Sequence, residues 1–409
     1  ITVVSTLPGG PSEKVGIQAG DKIVEIEDST VAGTGIANQD VISKLKGPKG
    51  SKVKVTVKRS TQPDDLEFVI TRDAVKLASV DAAYMLQPGM GYIKMSKFAS
   101  TTHAEMVDAI ERLKEKGMEK LVLDLRDNGG GYLDQATKIA DEFLEGNKKI
   151  VYTEGRMYPE KVYRAGKPGV YEEGELVVMI NENSASASEI LAGALQDWGR
   201  ATIVGRRSFG KALVQEEILL NDGSAMRLTV ARYFTPKGRS IQRSYEEGIE
   251  AYNEEHWNRM LSEYEESDSF AVHDTAQYGI QPDIYVPWDT TYVYRELISL
   301  INRGYVPRFT YQYFSNHQGE FEQYEDVQSF LNRYTVSDNL VNAFITKAER
   351  RAEEDGITYA WDSLTTSKEQ VKQVLKAYFG RQLFYYDAFY PVMNEMDKEL
   401  QRAIQLLQS

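Results

Sequence analysis

The sequence predicts a layered α/β core, preceded by a strand-rich segment and followed by a helical region. Three observations carry this. Two short apolar runs, residues 121–125 and 176–180, each pass through a loop of small residues into an amphipathic helical stretch, the repeating unit of an α/β layer. Residues 1–73 show the alternation of half-buried strands. From about residue 290 to the end, apolar residues recur at helical spacing.

Composition sets the bounds. The chain has 409 residues, 42% hydrophobic and 27% charged, which is globular and too long for one ordinary domain. A net charge of −13 argues against nucleic acid as a partner. There is no cysteine, which excludes disulfides, thiol catalysis and cysteine metal sites. The four histidines, His103, His256, His273 and His317, are scattered without metal-ligand spacing, so neither a metal nor a cofactor is expected. No apolar run approaches membrane-spanning length.

In chain order, residues 1–4 read as a strand and residues 7–11 as a turn. Gly16-Ile17 and Gly20-Asp21 lead into an alternating strand, Asn38 to Leu45 reads as a helix, and Val53, Val55 and Val57 point inward from a further strand. Residues 74–90 read as a connector. Residues 91–95 form a strand, and Thr102 caps a helix with Met106, Ile110 and Leu113 on its apolar face, ended by Gly117.

The strand at 121–126 runs into Asp127-Asn128-Gly129-Gly130-Gly131. Three glycines after a strand let the backbone approach a ligand closely. A phosphate cradle would need a Gly-Lys-Ser/Thr ending, which is missing.

The strand at 176–180 leads to Ser184, Ser186 and Ser188, separated by alanines, and then to a helical face of Ile190, Leu191, Ala194, Leu195 and Trp198. A serine is expected to cap this helix. Its hydroxyl then sits beside unpaired N–H groups and the positive end of the dipole, the setting an acyl-transfer nucleophile needs. Ordinary helix-start chemistry is the plain alternative. Downstream, Ser208-Phe209-Gly210-Lys211 reads as a tight turn ending on a lysine flanked by apolar residues, with Gln215 four positions on.

These motifs together resemble the C-terminal processing (tail-specific) peptidases. The resemblance covers roughly the first two-thirds of the chain. It implies a ClpP/crotonase-like layered core and a serine endopeptidase that cleaves proteins near their C-termini. By motif, Ser186 is the nucleophile, Lys211 the general base and Gln215 its orienting partner. The amides of Gly130 and Ala187 are the oxyanion donors, with the first assigned to within one residue. Two positions depart from the family pattern: Ala212 stands where glycine is usual after the lysine, and Gly129 where proline is usual.

Chemistry supports the lysine assignment. A lysine accepts a proton only when neutral, which requires burial or nearby positive charge. A glutamine orients the amine without supplying an anion that would hold the proton on.

The first segment resembles the middle of a PDZ domain, a fold that binds C-terminal peptides by strand addition. Its carboxylate-capture loop is expected ahead of residue 1, which leaves peptide capture and a scaffold or lid role both open. The expected domains are therefore 1–73 as a partial PDZ domain, 74–242 with 279–289 as the peptidase core, 243–278 as an acidic insertion, and 290–409 as a helical C-terminal domain. The insertion, with Glu246, Glu247, Glu250, Glu254, Glu255, Glu263, Glu265 and Glu266, reads as a solvated helix. In the helical domain, stripes such as Leu297, Leu300 and Ile301 read as packing surface for docking or dimerisation. The resemblance implies protein or peptide substrates with accessible C-termini, leaves a homo-oligomer or an adaptor protein open, and implies a bacterial periplasmic or envelope location. The competing reading is a PDZ-containing peptide-binding protein on the same core, latent or inactive without a partner.

Overall fold

A run of apolar residues without alternation has to be covered on both faces. Residues Leu176–Ile180 are such a run, and all five are buried. They form the centre of an α/β core. The computed structural model describes residues 1–4, 6–7, 9–59, 61–75, 78–265, 278–289 and 292–409. The chain divides into two units, Ile1–Leu77 with Thr291–Met396, and Ala78–Thr290 with Asp397–Ser409.

In the first unit, strands β1 (Lys22–Ile26), β2 (Ser29–Thr30), β3 (Lys52–Lys58) and β4 (Leu66–Thr71) make an antiparallel sheet in the order β2-β1-β3-β4. Val53, Val55 and Val57 are buried in its core with Ile23 and Ile26. Helices α1 (Pro11–Lys14) and α2 (Asn38–Leu45) accompany the sheet. Residues 1–4, read as a strand, form only a short extended stretch with one bridge, Thr2 to Lys22. The helices between Tyr292 and Met393 gather around an aromatic core that includes Phe309, Phe321, Phe330, Phe344 and Phe379.

The second unit holds a six-stranded sheet. Its strands are β5 (Val80–Gln87), β6 (Met90–Met95), β7 (Lys120–Asp124), β10 (Leu176–Ile180), β11 (Thr202–Gly205) and β14 (Ile284–Tyr285), in the order β14-β11-β10-β7-β6-β5. All pairs are parallel except β5–β6. The segment expected as a connector thus contains β5. It is half-buried with little alternation, so its period is hard to see. Strands β8 (Lys149–Glu154), β9 (Lys161–Arg164), β12 (Leu213–Leu219) and β13 (Ala225–Phe234) make a smaller antiparallel sheet, β12-β13-β8-β9.

Helices α3 (Thr102–Glu115), α4 (Leu133–Asp141) and α5 (Ala187–Asp197) cover one face of the six-stranded sheet, meeting Ile93, Leu121, Leu123, Val178, Ile180 and Ile203. The alternate residues Tyr92, Val122, Val177, Met179 and Val204 point the other way. That face is closed by the helix Lys398–Gln408, through Leu400, Ala403 and Leu407. This corrects the expected boundary, which placed the last helix in a domain running from 290 to 409. The physical reason is that a parallel sheet needs cover on both faces, and this helix carries the apolar stripe that provides it.

The insertion also differs from a simple solvated helix. Helix α6 (Gly248–Glu265) buries Tyr252 and Arg259 along one side, while Ile249, Trp257 and Leu261 face outward. The Arg243 guanidinium lies 3.7 Å from the Tyr252 ring centre and 4.6 Å from that of Phe209, which fastens this helix to the segment before Lys211. Glu266 and His273 lie outside the described residues. Among the described residues no helix is long and apolar enough to cross a membrane.

Candidate active site

The strand order places β7, β10 and β11 side by side and parallel, so the loops after them open at one edge of the sheet. Ligands of open α/β sheets bind outside the carboxyl ends of the strands. Here the three loops carry the glycines 129–131, the serines 184–188, and Lys211.

The structure separates the three serines. Ser184 is fully buried and its hydroxyl donates to the Leu125 carbonyl at 2.8 Å. Ser188 is fully buried and donates to the Asn128 carbonyl at 2.8 Å. Both hydroxyls are spent on the backbone. Ser186 caps α5, as expected, and its hydroxyl donates to no carbonyl among the described residues. Its backbone has φ 57° and ψ −112°, a region that L residues rarely adopt. Such a sharp strand-to-helix elbow is how a nucleophile is held out from a sheet. Its neighbours, Ala185 and Ala187, carry only methyl side chains.

Gly130 packs directly against this elbow. With φ 95°, it has a backbone that favours glycine, and a Cβ there would fall 2.8 Å from both the Ala187 nitrogen and Ser186 Cβ. The Asn128 carbonyl also accepts the Ala185 N–H at 3.0 Å, so the glycine loop and the serine loop are stitched together. The Ala187 N–H has no hydrogen-bond partner among the described residues and remains available. The Gly130 N–H, by contrast, donates to Asn128 Oδ1 at 2.9 Å.

Lys211 joins this frame through its backbone. Its N–H donates to Glu189 Oε2 at 2.9 Å, and the N–H of Ser186 donates to the same oxygen at 2.7 Å. Glu189 Oε1 accepts Ser208 Oγ at 2.6 Å and the Gly210 N–H at 2.7 Å. The Tyr233 hydroxyl, from β13, donates to the carbonyls of Ser186, at 2.9 Å, and of Lys211. Burial drives the Glu189 carboxyl up to about 7, against the pull of its four donors. Burial, followed by the nearby Glu189 charge, holds the Tyr233 phenol well above its ordinary range, so it stays a donor.

The side chains of the expected dyad are not bonded to each other. Among the described residues Lys211 Nζ makes no hydrogen bond or ion pair, and neither does the Gln215 side chain. Gln215 is exposed on β12, beside an irregularity in its pairing with β13. The structure thus brings Ser186, Ala187, Gly130 and the Lys211 backbone together, and leaves Gln215 at the surface.

Two members of the site were missed in the sequence. Glu189 had a signal, since an acid three residues after a helix-capping serine is the capping-box spacing, and the two residues do form one. Tyr233 had none, because it lies 47 residues from Ser186 on a different sheet.

Several segments of the chain are similar to known proteins. Residues 89–251 match the model of peptidase family S41, residues 2–59 that of the PDZ domain, and residues 297–385 a family of unknown function, DUF8443. The carboxy-terminal-processing protease of Bartonella bacilliformis is 39% identical over 247 residues, which is 59% of this chain and 56% of that protein. The carboxyl-terminal-processing protease of a Picosynechococcus species is 39% identical over 247 residues, 59% of this chain and 58% of that protein. The chain therefore spans a little over half the length of these relatives. The solved structure of a photosystem II D1 C-terminal processing protease is 31% identical, covering 70% of this chain and 68% of that one, with a TM-score of 0.39.

Proposed function

We propose that this chain, a member of the C-terminal processing peptidases of family S41 with a PDZ domain, is a serine endopeptidase that cleaves proteins near their C-termini. The observation that carries the reading is the frame around Ser186: a strained elbow whose hydroxyl donates to no group among the described residues, clamped to the Lys211 backbone by Glu189 and Tyr233.

The chemistry follows from these positions. Neutral Lys211 takes the hydroxyl proton of Ser186, and Ser186 Oγ attacks a peptide carbonyl. Charge develops on the carbonyl oxygen and is met by the Ala187 N–H and the positive end of α5. The Gly130 N–H becomes a second donor once it turns from Asn128 Oδ1. The lysine ammonium returns the proton to the leaving amine, and water releases the acyl group from Ser186. Gln215 orients Lys211 only after a rearrangement of β12. The PDZ domain and the relatives' names support substrates with accessible C-termini, and the bacterial relatives support work in the periplasm or envelope.

A second reading has its own observations. The Lys211 amine, unbonded among the described residues, and the Gly130 N–H committed to Asn128 favour a latent site, which a partner, a second copy or a bound C-terminal peptide would switch on.

The test is proteolysis of casein by the full chain beside Ser186→Ala and Lys211→Ala. Loss of cleavage in both variants, with folding intact, supports the dyad. Equal cleavage by all three sinks it. If no chain cleaves, activation by an added C-terminal peptide distinguishes the latent enzyme from a binding protein.

A further inference from the structure

The three loops of the site leave the sheet from neighbouring strands, and charged residues sit at the root of each. Asp124 ends β7 and Arg126 follows it towards the glycines. Glu182 follows β10 towards the serines. Arg206 follows β11 towards Lys211. The C-terminal helix, almost two hundred residues beyond Arg206 in sequence, joins these roots. Glu399 Oε2 accepts from Arg126 Nη1 at 3.2 Å, and Glu399 Oε1 accepts from Arg206 Nη1. Asp397, the cap of that helix, accepts from Arg126 Nη2 at 2.6 Å.

The chain of charges continues on both sides. Arg206 Nε donates to Glu182 Oε2 at 2.9 Å, and Arg126 Nη2 donates to Asp124 Oδ2 at 2.6 Å. Little of this is open to water: side-chain exposure is 1% for Asp124, 0% for Glu182, 3% for Arg206 and 14% for Glu399.

We propose that Glu399 is a positioning residue for the reaction. One carboxylate bridges the root of the glycine loop and the root of the Lys211 loop, and so fixes their separation across the serine loop between them. The C-terminal helix then completes the active site as well as covering the sheet. Apolar contacts from Leu400, Ala403 and Leu407 already cover the sheet, whereas buried ion pairs contribute little net stability. What a bidentate carboxylate between two planar guanidinium groups supplies is geometry. The loops need it, because a misplacement of about 1 Å at a catalytic group lowers rate by roughly 100-fold.

The proposal rests on the peptidase reading, and the experiment separates the two. Wild type, Glu399→Ala, Glu399→Gln and Leu407→Ala full-length chains are compared for melting temperature, for kcat and KM on casein-derived peptides, and for the rate of Ser186 labelling by a fluorophosphonate. The expected result for Glu399→Ala is a fall in kcat and labelling rate of about 10- to 100-fold, with KM within about threefold. Glu399→Gln, which keeps the shape and loses the charge, falls between. Leu407→Ala lowers the melting temperature and keeps kcat. The inference is overturned if both Glu399 variants melt lower but keep wild-type kcat and labelling, or if neither folds while Leu407→Ala does, since either result makes the bridge a fold element only. If wild type neither cleaves nor labels at Ser186, the peptidase reading fails and the inference falls with it.

Discussion

Glu189 accepts the backbone N–H groups of Ser186 and Lys211, and Tyr233 donates to the carbonyls of the same two residues. The two halves of the proposed dyad are therefore held by their backbones, through one residue on a helix and one on a strand of the smaller sheet. Their side chains remain unbonded to each other. The frame is built before the chemistry is engaged, and it can be tested piece by piece.

Replacing Glu189 by glutamine should damage the frame at its centre. An amide presents one acceptor oxygen where the carboxylate presents two, so buried N–H groups lose their partner. An unsatisfied buried donor costs about 1–3 kcal/mol, so a stability loss of roughly 2–4 kcal/mol is expected for this variant. Cleavage should fall by at least about 100-fold if Ser186 and Lys211 shift by as little as ~1 Å. Urea unfolding and casein cleavage measure the two effects; an active, fully stable Glu189→Gln variant would remove Glu189 from the frame.

The same carboxylate should leave a mark on the pH profile of stability. Its folded value is raised from 4.5 to about 7. Between those values the folded state keeps a proton that the unfolded chain has lost, so stability falls as pH rises through the window and is level above it. The slope integrates to about 3 kcal/mol. Denaturation across the range from about pH 4.5 to about pH 8 should show this decline in wild type and not in Glu189→Gln. Activity should run the other way, rising towards neutrality, because only the ionised carboxylate accepts all four donors.

Tyr233→Phe removes one hydroxyl and little else. Two carbonyls lose a shared proton, which should lower stability by about 1–2 kcal/mol. The effect on cleavage should lie in kcat, about tenfold, with KM unchanged. A change in KM alone would place Tyr233 in substrate binding instead.

Gly130→Ala tests the close approach of the glycine loop. The new Cβ would lie 2.6 Å from the Ala185 carbonyl oxygen and 2.8 Å from the Ala187 nitrogen, at φ 95°. Backbone strain of this kind costs on the order of 1–3 kcal/mol, to which the steric clash adds. Labelling of Ser186 by a fluorophosphonate should be lost. Labelling at the wild-type rate would exclude the Gly130 loop from the oxyanion site.

The serines offer a control within one loop. Ser186→Ala should abolish cleavage and lower stability by only about 1 kcal/mol, the cost of a lost helix cap, since its hydroxyl donates to no group among the described residues. Ser184→Ala should lower stability by about 1–3 kcal/mol, because the Leu125 carbonyl loses its donor, while the folded fraction still cleaves. The reverse pattern would assign the nucleophile to Ser184.

Much of this protein was determined by local sequence. Period and small-residue loops mark β7, β10 and α5, because a buried parallel strand must be apolar throughout and a helix must start on a capping residue. The segments around Ser186 and Lys211 stand out because a helix start and a tight turn each demand small or capping residues at short spacing. Tertiary structure decided what local pattern cannot express. The path of the last helix depended on which sheet face lacked cover. Ser184, Ser186 and Ser188 share one motif, and only the carbonyls supplied by Leu125 and Asn128 distinguish them. Tyr233 reaches the Ser186 carbonyl from 47 residues beyond it, and Glu399 reaches Arg126 and Arg206 at the loop roots from 213 residues beyond Ser186. A hydrogen bond or ion pair acts over a few ångströms in space, and its energy has no dependence on how far apart the partners lie along the chain.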